Sequence, residues 1–236
     1  MTRLIFLDTE TTGLSHEGGD RIIEIGCIEM VNRRLTGRSK HFYVNPQRAN
    51  SDDALKVHGL TDEFLADKPL FSAVVDELAE FLNGAEIVIH NAAFDVGFMD
   101  AELQRLGRLS FNTWVAKVTD SLAMAREIFP GKANSLDALC RRLEVDNTNR
   151  TLHGALLDAG LLAEVFIRMT RGQESLVIDI AHGASVGAHA GWSVDLATLE
   201  LMVIEPTETE LAAHAAVLGD LDKASDGRTL WRHRMA

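Results

Sequence analysis

The sequence predicts an α/β fold built on a mixed sheet covered by helices. Three observations carry this. Strand-like stretches follow one another within the first 45 residues, as in a meander. Beyond residue 50, short apolar runs of strand length alternate with stretches of helical period. Finally, 46% of the 236 residues are hydrophobic, enough for a sizeable packed core.

The elements read as follows. Residues 3–8 form an apolar run of strand length. "RIIEIGCIEMVN" (21–32), apolar at Ile23, Ile25 and Ile28, predicts a second strand. "LTGRSKHFYVN" (35–45) is its hairpin partner across "NRR". Ser51 supplies helix-capping chemistry to "SDDALKVHGL" (51–60), which runs out into glycine. Residues 70–84 place Phe71, Val74, Val75, Leu78 and Leu82 at helical spacing, and Asn83-Gly84 stops that helix. "AEIVIHN" (85–91) has the length of a buried strand. A helix over 94–106 follows, then a short strand from Lys117 and a helix that ends at Pro130-Gly131. Residues 135–143 and 153–169 complete the helical set.

After Gly172 the character changes, so residues 1–172 are expected to form the main domain. "AHGASVGAHAG" (181–191) has neither helical nor strand period and reads as a flexible linker. "ATLELMVIEP" (197–206) has strand character. "TETELAAHAAVL" (207–218) opens with a capping box, Thr207 to Glu210, and continues as a helix.

Composition excludes several classes. No apolar run approaches the ~18 residues that span a bilayer. Asp8 interrupts the N-terminal apolar stretch too early for a secretory signal. Cys27 and Cys140 sit in apolar patterns and read as buried thiols of a cytoplasmic protein. The net charge of −12 argues against gripping nucleic acid through a broad positive field. Any such contact must be local, metal-assisted or helped by a partner.

The acidic residues are the unusual feature. Asp8 and Glu10 stand two apart at the end of the first strand, hence on one face. Buried carboxylates are costly unless paired, protonated or bound to a cation. Asp95 follows a buried strand, on the first turn of a helix, and Asp158 lies in an apolar helix five residues after His153. Four such carboxylates suit hard cations, and two ions ~3.5–4 Å apart stabilise both oxygens of a phosphoryl displacement. Five residues span about 140° around a helix beyond full turns, so His153 belongs in the entering loop, placed to take a proton. Each residue alone has an ordinary structural reading. Asp95 could complement a helix dipole, His153 could cap, Asp158 could pair with an arginine, and Glu24 could pair with Arg33 or Arg34. His58 and His90, taken singly, read as structural.

"FLDTETTG", "HNAAFD" and "HGALLD" together resemble the DEDD exonuclease superfamily in its histidine-bearing branch. The five-residue step from His153 to Asp158 marks that branch; the sister branch has a Tyr four before the last Asp, and the single Tyr here is Tyr43. "RIIEIG", "VNRRLTG", "VHGL", "KVTDSLAMAR", "FPGKANSLDALC" and "RTLHGALLDA" are similar to the family of proofreading epsilon subunits of bacterial DNA polymerase III, densely over residues 3–172.

The resemblance implies a ribonuclease-H-like fold with a five-stranded mixed sheet. It also implies 3′→5′ hydrolysis of DNA that releases nucleoside 5′-monophosphates, with two divalent cations, Mg²⁺ or Mn²⁺. It assigns Asp8, Glu10, Asp95 and Asp158 to the metals and His153 to the general base. Thr11, Thr12 and Gly13 would offer main-chain N–H groups to the terminal nucleotide. Leu14 would wedge against the last base, where ordinary core packing is the alternative. Asp53, His58, Asn91 and Phe94 would contact substrate; the family more often has Glu at position 53, and Phe94 could equally be core. Residues 173–178 resemble a clamp-binding peptide with Ile178 in place of the aromatic anchor. The segment 173–192 is thus a clamp-peptide candidate plus linker, and 193–236, with Trp231, a polymerase-binding tail. A sliding clamp, a polymerase subunit, a small accessory subunit and a DNA 3′ end are the expected partners, and no membrane. An RNA 3′-end exonuclease and a mainly structural polymerase subunit remain the alternatives.

Overall fold

The computed structural model describes residues 2–148, 150, 152–170 and 206–226. The chain divides into two compact units, Met1–Ile178 and Asp179–Ala236. The first contains a five-stranded sheet of β1 (Arg3–Thr11), β2 (Ile22–Val31), β3 (Arg34–Tyr43), β4 (Glu86–Ile89) and β5 (Lys117–Asp120). The order is β3-β2-β1-β4-β5. The first three strands pair antiparallel, whereas β1–β4 and β4–β5 are parallel. This is the expected five-stranded mixed sheet.

Among the described residues, seven α-helices accompany the sheet in this unit: α1 (Asp52–His58), α2 (Asp62–Leu65), α3 (Phe71–Leu82), α4 (Ala92–Arg105), α5 (Ser121–Ile128), α6 (Leu136–Arg142) and α7 (Ala155–Met169). Strand alternation sends successive residues of β1 to opposite sides. Ile5 and Leu7 join Val75, Leu78 and Leu82 of α3 and Phe98, Met99 and Leu103 of α4 in one core cluster. Leu4 and Phe6 join Leu139 and Cys140 of α6 and Ala159, Leu162 and Val165 of α7 in the other. Burying each large apolar side chain contributes about 1.5–3 kcal/mol. Both cysteines are free and buried, as expected.

Local signals end the helices where anticipated. Ser51 accepts from Ala54 N–H at the start of α1, and Gly59 closes it in the left-handed region at φ 71°. The four-residue α2, capped by Thr61, is too short to show a helical period in the sequence. Helix α7 begins at Ala155 behind Gly154, so His153 stands in the entering loop. In the second unit, Thr207 and Glu210 form both bonds of the capping box that starts α8 (Glu208–Ala224). The boundary near 172, the peptide at 173–178, the linker at 181–191, all but the last residue of the strand expected at 197–206, and Trp231 lie outside the described residues. No helix among the described residues is long and apolar enough to cross a membrane.

Candidate active site

The site forms where the carboxyl ends of β1 and β4 meet the starts of α4 and α7. Asp8 and Glu10 share the side of β1 occupied by Leu4 and Phe6, so they face α7. Asp8 is opposite Gly26 of β2. A Cβ on Gly26 would lie 2.2 Å from Ala155 C and 2.3 Å from Leu156 N. A side chain here would push α7 off the sheet. Ala155, Ala159 and Ala163, four apart and fully buried, extend the same close approach along the helix. Glycine and alanine therefore set the depth at which Asp158 sits over β1. Register in the β1–β2 ladder shifts between Glu10 and Thr11, next to the site, as bulges commonly do.

One ligand atom each from Glu10, His153 and Asp158 lies within 4.8 Å of the others. Asp95, buried on the first turn of α4, accepts from Thr9 Oγ1 at 2.7 Å. All five residues line one cleft of about 410 Å³. Burial, reinforced by Asp95, Asp158 and Glu10, raises Asp8 well above the usual carboxylate range, while Arg150 opposes. Burial pushes Glu10 up to about 8, with Asp158 and Glu24 adding to the rise. Asp95 rises to about 7 through burial, against the Thr9 hydrogen bond. Crowding three buried carboxylates disfavours their charged forms, and a divalent cation placed among them would favour those forms again. The oxygen-rich donor set fits hard divalent cations.

Asp158 behaves differently. Burial pushes it up, but hydrogen bonds from His153 and Arg150 and the Arg150 charge overrule this and hold it below its ordinary value. Arg150 donates through Nε and Nη2, each at 2.5 Å, to the two carboxylate oxygens. Its Nη1 reaches Asp137 at 2.7 Å, and Nη2 lies 2.8 Å from His153 Nδ1. Arg150 was not among the sequence candidates. The signal available was the possibility that Asp158 pairs with an arginine; nothing local says which one. His153 is anchored by its main-chain N–H, which donates to Val57 O at the end of α1 at 3.0 Å. Its Nδ1 is 3.4 Å from Asp158 Oδ2, within the donor cluster itself.

The other candidates divide. Leu14 is 87% exposed, so it is not core. Phe94 packs partly on the first core cluster and also lines the cleft. Asn91 lines the cleft too, in the left-handed region at φ 68° where α4 begins. Thr11, Gly13, Leu14, Asp53, His58 and Phe94 border an adjoining hollow of about 500 Å³. Asp53 is exposed and bonded to Lys56. His58 is buried, its Nδ1 accepts from Leu60 N–H, and burial with His153 nearby lowers its pKa. Thr12 differs from the expectation. Its main-chain N–H already donates to Arg21 O at 2.9 Å and its side chain is fully buried between Asp20 and Arg21. No N–H remains there for a ligand. Glu24 likewise does not pair with Arg33 or Arg34. It meets His41 Nε2 at 2.6 Å across the β2–β3 ladder, while Arg33 bonds Thr170 and Ile167 O beyond the strand ends.

This sheet, with convergent carboxylates and one imidazole, defines the chain as a nuclease of the ribonuclease-H-like class. The exonuclease family profile matches residues 5–166. DNA polymerase III subunit epsilon of Escherichia coli (strain K12) is 51% identical over 239 residues, covering 98% of each chain. The subunit epsilon of Pasteurella multocida (strain Pm70) is 50% identical, covering all of this chain and 95% of that one. A solved structure of exonuclease X in complex with 5′-overhanging duplex DNA superposes with a TM-score of 0.55 at 26% identity, covering 72% of this chain and 91% of that one. The chain belongs to the exonuclease family and, within it, to the DNA polymerase III epsilon subunits.

Proposed function

We propose that this chain removes nucleotides from the 3′ end of DNA, releases nucleoside 5′-monophosphates, and proofreads for a replicative polymerase. The observation that carries this is the convergence of Asp8, Glu10, Asp95, His153 and Asp158 from β1, α4 and the α7 entry in one cleft. Asp8, Glu10, Asp95 and Asp158 would hold the cations, Mg²⁺ with Mn²⁺ able to substitute. Two divalent ions bound there supply Lewis acidity to both oxygens of the phosphoryl displacement.

The chain's own groups do the rest. His153 takes the proton of the attacking water, held in place by its N–H bond to Val57 O. The hollow between Leu14, His58 and Phe94 receives the terminal nucleoside, with exposed Leu14 against the last base. Thr11, Gly13, Asp53 and Asn91 border the same path. An acidic chain that holds a 3′ end through cations and one pocket binds paired DNA weakly. It therefore acts on frayed ends, where a mismatch has already lowered the cost of unpairing by a few kcal/mol.

We assign polymerase binding to residues 193–236. Support comes from α8, whose Leu211, Val217 and Leu221 are all exposed. The clamp contact at 173–178 is a further part of the proposal, and a partner there raises processivity through effective concentration.

The test is digestion of a 3′-mispaired primer with Mg²⁺, wild type against Asp158→Ala, on matched DNA and RNA strands. The expected result is release of 5′-monophosphates from the DNA 3′ end by the wild type and loss of at least 10²-fold in the variant. Equal rates in the two proteins would overturn the assignment. A preference for the RNA strand would transfer it to RNA 3′ ends.

A further inference from the structure

A second hollow, of about 470 Å³, adjoins the cleft. It is bounded by His90 at the end of β4, Arg126 of α5, and Gly131, Lys132, Asn134 and Ser135 in the loop before α6. It shares His90 and Ser135 with the cleft. The nucleoside hollow shares Thr9, Glu10, Leu14 and Phe94 with the cleft's other end. The three hollows thus form one track with the carboxylates in its middle.

We propose that the hollow between Arg126 and Lys132 seats a backbone phosphate of the DNA strand on the 5′ side of the bond being cut. This rests on the exonuclease reading, and it adds a subsite that fixes the incoming strand.

The charge pattern is the argument. The chain carries −12 overall, and most arginines near the sheet are committed to carboxylates: Arg21 to Glu102, Arg38 to Glu29, Arg108 to Asp76, Arg150 to Asp158. Arg126 and Lys132 are different. Both are exposed, and among the described residues neither side chain makes a hydrogen bond or ion pair. Two uncommitted cations on one concave surface, next to a site that cuts a polyanion, match a phosphodiester in charge and hydrogen-bonding capacity.

The neighbours leave them free. Asp120, the carboxylate at the start of α5, already accepts from the N–H groups of Asn91, Leu122 and Ala123. Asn134 is committed on both sides, donating to Phe129 O and accepting from Arg142. Gly131, at φ 71°, turns the loop without a side chain, and a Cβ there would meet nothing within 4 Å. The direction follows from the track. With the terminal nucleoside beyond Leu14, the rest of the strand leaves past His90 and Ser135, toward Arg126 and Lys132.

The test uses the full chain with Arg126→Ala and Lys132→Ala combined, both at exposed positions. Hydrolysis is measured on single-stranded DNA 10-mers at several salt concentrations, and on the p-nitrophenyl ester of thymidine 5′-phosphate, which has no upstream strand. The expected result is a KM for the 10-mer raised about 10-fold with kcat unchanged, and a salt slope reduced by about 1. Ester hydrolysis stays at the wild-type level. An unchanged 10-mer KM, or an equal loss on the ester, overturns the phosphate seat. A wild type that cleaves the ester but no DNA overturns the exonuclease reading and this subsite with it. A wild type that digests DNA while the double variant matches it overturns the subsite alone.

Discussion

Replacing Gly26 with alanine tests whether the depth of α7 on the sheet determines the metal site. The added methyl group would start 2.2 Å from Ala155 C, 2.3 Å from Leu156 N and 2.4 Å from Ala155 O. These are backbone atoms, so no side chain can rotate away. Restoring an ordinary carbon contact of ~3.5 Å moves the start of α7 by more than about 1 Å. Such overpacking costs about 1–3 kcal/mol, a fall in Tm of roughly 2–12 °C for a chain of this size. The site should suffer more than the fold. Asp158 sits one turn into α7 and His153 two residues before it, while Glu10 stays with β1. A ring of donor atoms now within 4.8 Å is widened on one side. Catalytic groups displaced by 1 Å lose about 10²-fold in rate. Gly26→Ala should therefore lose about 10²-fold in exonuclease activity and bind Mn²⁺ measurably more weakly, while circular dichroism shows a folded protein with a modestly lowered Tm. Thermal melts, Mn²⁺ titration and oligonucleotide digestion read the three quantities. A variant with lowered Tm but wild-type Mn²⁺ affinity and rate would refute the reasoning, because α7 would then be free to shift without moving its ligands.

Two further outcomes follow from the charges. Without divalent cations, Asp8, Glu10 (about 8) and Asp95 (about 7) bind protons in the folded state that the unfolded chain has already released. Stability should therefore fall as pH rises from about 5 to 8. Urea melts in a chelator across this range measure it, and excess Mn²⁺ should remove most of the slope; a flat chelated profile counts against the crowded carboxylates. Asp158, held low by His153 and Arg150, has the opposite sign, and its contribution is lost only in acid. Arg150→Gln should destabilise the cation-free protein by about 3 kcal/mol, since it leaves the buried Asp158 charge unpaired. Because the cation no longer competes with a guanidinium, the Mn²⁺-induced rise in Tm should be larger than in the wild type. Equal rises would show that Arg150 and the metal do not share Asp158.

The sequence alone determined the sheet and most helices, and it marked the five candidate residues that the fold brings into one cleft. Hydrophobic period is local, so β1, α3 and the capping box of α8 can be read without knowing what they pack against. The acidic residues are also legible because each sits in a short run whose period marks it as buried, and a buried carboxylate demands an explanation wherever the chain goes. Only the tertiary structure decided the partners. It joins Arg150 to Asp158, Glu24 to His41 and Thr12 N–H to Arg21, makes Gly26 the floor beneath α7, and places Arg126 and Lys132 beside the cleft with no side-chain partner among the described residues. The physical reason is that periodicity encodes which face an element buries, whereas the partner of a polar group depends on where distant segments come to rest.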